Sequence, residues 1–182
     1  MIEVEVKAKI KNLENIRLKL KELNASKTKK ELQKDIYFNS PIVNFAETDE
    51  AFRIRKTITN GKLNIFMTYK GPKIDSSSKT RKEVEVKIED DKKAKDIFEN
   101  IGFEAVRTVE KEREYYKYEN YEISLDFVEG LEPYMEIETV LNEDDDYKNA
   151  QEGIFEIFKK LGINNGFERL SYLELLENKD KS

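Results

Sequence analysis

Glu3 and Glu5 stand two residues apart, as do Glu83 and Glu85, and Glu136 and Glu138. Arg53 and Arg55 repeat that spacing with positive charge, and so do Lys111 and Arg113. Successive side chains of a strand point to opposite faces, so residues two apart share one face. Each pair then sets like charges side by side, which is repulsive unless something neutralises them. Clustered carboxylates ask for a hard divalent cation such as Mg²⁺, which takes carboxylates plus waters. Clustered guanidinium and ammonium groups ask for a polyanion with oxygens at several positions. A metal-bound polyphosphate satisfies both demands. A single phosphate does not need Arg53, Arg55, Lys70, Arg81, Lys111 and Arg113 together, whereas a triphosphate does.

The strands that carry these charges alternate strictly. The pentapeptide EVEVK occurs at Glu3–Lys7 and again at Glu83–Lys87. In the first copy Ile2, Val4, Val6, Ala8 and Ile10 share one face, and Glu3, Glu5, Lys7 and Lys9 the other. In the second, Val84, Val86 and Ile88 oppose Glu83, Glu85 and Lys87. Thr68 with Lys70, Arg81, and Asp126 take the charged face of their own segments. A lone EVEVK reads as a solvated sheet face. Two features argue against that here: the repeated like-charge pairs, and strands that use Arg, Lys, Glu and Asp where a wet face would use Thr, Ser and Gln freely. Buried, unpaired charge costs several kcal/mol per ion, so an enclosed charged face implies a ligand.

The connecting elements fit this arrangement. A strand at about Ile2–Ile10 leads to a helix capped by Asn12, with Leu13, Ile16, Leu20 and Leu23 as its apolar stripe. Strands follow near Glu31–Asn39, at "AFRIRKTI" and at "KLNIFMTYK", the last two joined by a hairpin turn at Asn60-Gly61. Ser40–Asp49 reads as a loop, and "GPKIDSSSK" as a mobile, turn-rich connection. After the second EVEVK strand comes a helix with Ala94, Ile97, Phe98 and Ile101 inward and Gly102 as its stop. Three strands run near Glu104–Tyr118, Tyr121–Val128 and Tyr134–Leu141, followed by the acidic loop "NEDDD". A helix carrying Ala150, Ile154, Ile157, Phe158 and Leu161 stops at Gly162. A last helix begins at Ser171, whose spacing to Glu174 is that of a capping box.

Each half thus reads strand, helix, three strands, and "LQKDIYF" sits where "EKEREYY" sits in the second half, which implies an internal duplication. The expected fold is α+β: an eight-stranded, mostly antiparallel closed barrel with helices packed outside, apolar faces under the helices and charged faces lining the interior. The expected boundaries are one domain over residues 1–176 and a polar tail over 177–182.

Composition bounds the partners. Charged residues make up 39% of the 182, against an ordinary quarter or so; an interior lined with charge accounts for this, and so do ion-pair networks adapted to heat. With 33 basic and 38 acidic groups the net charge is only −5, which speaks against a nucleic-acid surface. The absence of His and Cys excludes the usual zinc sites, thiol nucleophiles and His-based triads. No signal peptide and no apolar run near 18 residues is present, so no membrane partner and a cytoplasmic location are expected.

Taken in order, "EVEVK", "FRIR", "TYKGP", "TRKEVEV", "EKER", "LDFVEGLE", "YMEIE" and "ERLSYLELL" resemble the CYTH family of triphosphate tunnel enzymes, over roughly Ile2 to Leu176. Within it the chain looks closest to the class IV adenylyl cyclase group. The resemblance implies a tunnel that binds a nucleoside triphosphate or other triphosphate with Mg²⁺ or Mn²⁺, and it admits a homodimer. It implies metal ligands at Glu3, Glu5, Glu136 and Glu138, with Asp126 nearby, and a phosphate grip from Lys7, Arg53, Arg55, Lys70, Arg81, Lys111 and Arg113. Lys7, Arg53 and Lys111 are the residues expected to act on the reacting phosphate, and Glu83 and Glu85 suit salt bridges as well as metal. The reaction is then ATP to cyclic AMP and pyrophosphate. The alternatives are hydrolysis of tripolyphosphate, thiamine triphosphate or a nucleotide, and a non-catalytic module that binds polyphosphate or an RNA end.

Overall fold

The computed structural model describes residues 1–142 and 145–181. Glu143 and Asp144 of the NEDDD stretch, and Ser182 of the tail, lie outside the described residues. Along the chain run β1 (Ile2–Lys9), α1 (Leu13–Glu22), β2 (Ser26–Asn39), α2 (Phe45–Thr48), β3 (Ala51–Thr59), β4 (Lys62–Lys73) and β5 (Arg81–Ile88). Then come α3 (Asp91–Asn100), β6 (Glu104–Tyr118), β7 (Tyr121–Val128), β8 (Tyr134–Leu141), α4 (Tyr147–Lys160), β9 (Phe167–Glu168) and α5 (Tyr172–Asp180). The sheet order is β5-β4-β3-β2-β6-β7-β8-β1-β9, and β1 also pairs with β5. That last pairing, through Ile2↔Lys82 and Glu3↔Arg81, closes an eight-stranded antiparallel barrel. β9 adds one short strand against Lys7 and Ala8 of β1. Exchanging β1–β4 with β5–β8 reverses the barrel order and leaves it unchanged.

Local chemistry explains the element ends. The Asn12 side chain accepts from the Asn15 N–H at 3.0 Å and starts α1. Asn60 and Gly61 both take positive φ, as the tight β3–β4 hairpin requires. Ser171 and Glu174 form a reciprocal capping box at α5.

The apolar faces turn outward. Val4, Val6 and Ala8 of β1, Ile123 and Leu125 of β7, and Met135 and Ile137 of β8 pack beneath Ile16 and Leu20 of α1 and Ile154, Ile157 and Phe158 of α4. Each such buried aliphatic side chain contributes roughly 1.5–3 kcal/mol of transfer free energy, so the charged face of the same strands has to point inward. A second cluster joins Phe38, Phe52, Ile54 and Ile65 to Phe98 and Phe103, with the Phe52 and Phe98 rings edge-on at 4.7 Å.

Several expectations need correction. β2 begins at Ser26, because its first residues pair with the end of β6. The 40–49 loop contains the short helix α2, capped by Asn44. β4 runs on to Lys73, and the turn after it buries Ser78, Lys79 and Thr80, so this connection is anchored instead of loose. α5 extends to Asp180, into the stretch read as tail. Val84 and Val86 of the second EVEVK are 54% and 50% exposed, whereas Val4 and Val6 of the first are buried against α4. Ile97 of α3 and its C-cap residue Ile101 are likewise exposed, while Ala94 and Phe98 make that helix's contact with the sheet. No helix among the described residues is long and apolar enough to cross a membrane.

Candidate active site

The barrel encloses a cavity of about 230 Å³ whose walls are charged. Neighbouring strands β1 and β8 pair Glu5 with Glu138 and Lys7 with Glu136, which gathers one acidic wall. Glu3, Glu5 and Glu138 each offer an oxygen within 4.8 Å of the other two. Burial, then the facing carboxylates of Glu3 and Glu5, push Glu138 up to about 8, and Arg113 and Lys70 offset this only in part. Glu5 is raised as well, by burial first and by Glu136 and Glu3, against Lys79 and Lys70. Surplus negative charge on three hard oxygen donors is what a divalent cation relieves, so these residues fit Mg²⁺ or Mn²⁺. Glu136 behaves differently. Burial works to raise it, but Lys79, Arg113, Lys111 and Lys7 outweigh that and hold it well below the usual carboxylate range.

The opposite wall is cationic. Arg55 of β3 grips Asp35 of β2 with two bonds of 2.6 Å. Arg53 lies 3.6 Å from the same carboxylate, and its buried Nε has no hydrogen-bond partner among the described residues. A buried, unmet guanidinium donor costs free energy that an anion in the cavity would recover. Lys70 of β4 spans Glu3 at 2.5 Å and Glu83 at 2.7 Å. Arg81 donates to the Gly71 carbonyl at 3.2 Å. Arg113 of β6 takes Asp126 of β7 in a two-pronged pair and also reaches Glu136. Lys111 is 3.8 Å from Asp126. Burial, then Arg113 and Arg55, bring its ammonium down to about 7, with Asp126 and Glu136 opposing.

The structure brings Glu3, Glu5, Glu136, Glu138, Arg53, Arg55, Lys70, Arg81, Lys111 and Arg113 to one cavity. Two residues of the same pattern are sealed from it by α5. Lys7 is fully buried, donates to the Leu170 carbonyl, and lies over the Tyr172 ring at 4.1 Å. Burial and the nearby Lys79 pull its ammonium down to about 7. Asp126 is also fully buried, and besides Arg113 it accepts from the Tyr172 hydroxyl at 2.6 Å, apart from the three-carboxylate group.

Sequence reasoning missed four contributors. Asp35 and Tyr37 share a face of β2 and follow the same period of two, so that signal was present. Tyr172 and Lys79 gave none, since one opens a helix and the other ends a serine-rich turn. Together the walls form an enclosed, preorganised set of cations facing hard carboxylates, which can hold a metal-bound polyphosphate and stabilise charge that develops on it.

Comparison with known proteins follows the same lines. The family model described as the CYTH domain matches residues 1–170. The chain is 47% identical over 176 residues to a Methanocaldococcus jannaschii protein named as a putative adenylate cyclase, covering 96% of this chain and 98% of that one. The solved PH1819 protein of Pyrococcus horikoshii superposes with a TM-score of 0.90 at 45% identity, covering 97% of this chain and 99% of that one. A Hippeastrum protein described as a putative adenylyl cyclase with a dominant triphosphatase activity shares the fold, with a TM-score of 0.67 at 18% identity over 97% of this chain and 96% of its own.

Proposed function

Since the chain belongs to the CYTH domain family, we propose that it is a metal-dependent enzyme that binds a triphosphate inside its barrel and cyclises ATP to cyclic AMP and pyrophosphate. One observation carries this reading: the Glu3, Glu5 and Glu138 carboxylates face the Arg and Lys cluster across a single enclosed cavity. The 47%-identical Methanocaldococcus relative, by its name, supports the choice of reaction.

In this reaction the ribose 3′-oxygen forms a bond to the α-phosphorus, the bond from that phosphorus to the bridging oxygen breaks, and pyrophosphate departs. Arg53, Arg55, Lys70 and Arg113 hold the phosphate chain and balance the charge that grows on the leaving group. The proton of the attacking hydroxyl passes to Lys111, whose ammonium has been brought down to about 7 and which therefore offers a free amine near neutral pH. A divalent cation held by Glu3, Glu5 and Glu138 would supply neutralisation of phosphate oxygens and acidify a hydroxyl bound to it.

A second reading is favoured by the cavity itself. At about 230 Å³ and walled by ionic groups, it suits the phosphate chain more than a whole nucleotide. Hydrolysis at the terminal phosphorus of tripolyphosphate, thiamine triphosphate or a nucleotide would use the same grip, with water as the attacking group. The test is to incubate the full chain with ATP, and separately with tripolyphosphate, in Mg²⁺ or Mn²⁺ and to resolve the products. Cyclic AMP with pyrophosphate is expected; orthophosphate instead selects the second reading. Binding without turnover on either substrate refutes both.

A further inference from the structure

Lys79 belongs to neither the strand pattern nor the expected phosphate grip. It comes from the turn between β4 and β5, yet its ammonium lies inside the barrel, bonded to Glu5 and 3.3 Å from Glu136. Its backbone N–H donates to the Glu5 carbonyl at 2.8 Å. The turn is fastened from several directions. Asp75 accepts from the Ser77 and Ser78 N–H groups at 2.7 and 2.9 Å. Gln151 of α4 donates to Asp75 and Ser77, and Arg169 donates to the Ser78 and Asp75 carbonyls at 3.2 and 2.8 Å.

A turn fastened so thoroughly needs no buried ammonium for its own sake, and burying one costs several kcal/mol before its partners offset it. What Lys79 does contact is informative. Glu5 is one of the three carboxylates that fit a divalent cation. The lysine therefore competes with that cation for an oxygen donor, and the cavity it lines also holds Lys70 and Arg53. We propose that Lys79 is a resident counter-cation of the acidic wall: when a divalent cation takes Glu5, the Lys79 ammonium leaves that carboxylate and binds a phosphate oxygen of the triphosphate. Metal and substrate are thereby coupled through one side chain, since the same displacement completes the metal site and adds a cation to the phosphate grip. This rests on the proposed function of the cavity.

The experiment uses the full chain and its Lys79→Met variant, with Mn²⁺ alone, with tripolyphosphate in saturating Mn²⁺ and with tripolyphosphate in chelator, each followed by titration calorimetry. The variant should bind Mn²⁺ at least ~10-fold more tightly, because the competitor is gone, and tripolyphosphate in Mn²⁺ at least ~10-fold more weakly, with no such loss in chelator, where Lys79 stays on Glu5; tenfold is about 1.4 kcal/mol. A lysine that only props the turn gives the opposite first result, since Glu5 would lose its placement. A second measurement needs no variant: acetylation of Lys79 in the parent, read by mass spectrometry, should rise on adding Mn²⁺ and fall again with tripolyphosphate. If the parent binds both ligands but the variant matches it, or Lys79 labelling ignores Mn²⁺, the inference is overturned and the proposed function stands. If the parent binds neither ligand, both are overturned.

Discussion

Replacing Glu138 with Gln should stabilise the metal-free protein at alkaline pH and abolish most of its stabilisation by metal. In the folded chain the Glu138 carboxyl is raised to about 8, by burial and by the facing Glu3 and Glu5. The unfolded chain releases this proton near the ordinary value of about 4.3. Between those values the folded state holds a proton that the unfolded state has lost, so stability falls as pH climbs from about 4.3 towards 8 and then levels off. At about 1.4 kcal/mol per pH unit the full displacement corresponds to roughly 4–5 kcal/mol. Glu138 is only partly buried, so solvent screening reduces this, and about 2 kcal/mol is the expected net penalty. For a domain of this size that is about 4–8 °C in Tm. Glu138→Gln keeps the shape and removes the charge. In chelator at about pH 8.5 its melting temperature should exceed the parent's by that amount, and the gap should close near pH 4. Added Mn²⁺ should raise the parent's melting temperature and leave the variant's nearly still. Equal gains from Mn²⁺ in the two proteins, or a variant that melts lower in chelator at high pH, would refute the assignment of this carboxylate to a metal cluster.

Arg53→Ala should lower turnover at least ~100-fold, the usual cost of losing a preorganised donor, while circular dichroism and melting stay close to the parent, because Arg55 keeps Asp35 paired. Tyr172→Phe removes the 2.6 Å bond to the buried Asp126 and should cost about 1–3 kcal/mol in denaturant unfolding; an unchanged midpoint would mean that Arg113 alone satisfies Asp126. Gly153→Ala would place a Cβ 2.0 Å from the Tyr121 hydroxyl oxygen beneath α4, and a loss of about 1–3 kcal/mol is expected from overpacking. A neutral result there would show that the Tyr121 ring swings aside freely.

The barrel was legible because period two and burial agree over most of it. In β1, β3, β7 and β8 a charged face alternates with Val, Ile, Leu or Phe, and the α1 and α4 stripes supply the cover those apolar faces need. Caps written in single residues, such as Asn12, Gly102 and Ser171, placed the helix ends. Periodicity does not say whether a cover exists. Val84 and Val86 repeat the pattern of Val4 and Val6, yet Val4 and Val6 are buried with α4 while Val84 and Val86 stand half exposed. Most of the candidate site was legible through the same alternation, including Arg53, Glu138 and Lys111. Lys7 shares the face of Glu3 and Glu5, but whether it meets the cavity depends on Tyr172 arriving from 165 residues further along. Lys79 depends on Gln151 and Arg169 fastening its turn, a contact that nothing in "DSSSK" announces.

The pairing of β1 with β5 has a mechanical consequence. Among the described residues Ile2↔Lys82 and Glu3↔Arg81 are the two pairs that join those strands in the ladder, so this seam is the weakest line in the hoop. Beside the ladder, the Lys79 N–H donates to the Glu5 carbonyl at 2.8 Å and the Glu83 N–H to the Met1 carbonyl at 3.2 Å, and ion pairs from Lys70 to Glu3 and from Lys79 to Glu5 add to them. The groups that would grasp a guest are therefore among those that keep the wall shut. An occupied interior rivets the join, and an empty one in concentrated salt should breathe there first, with amide protons of β1 and β5 exchanging ahead of those in the long β2–β6 ladder.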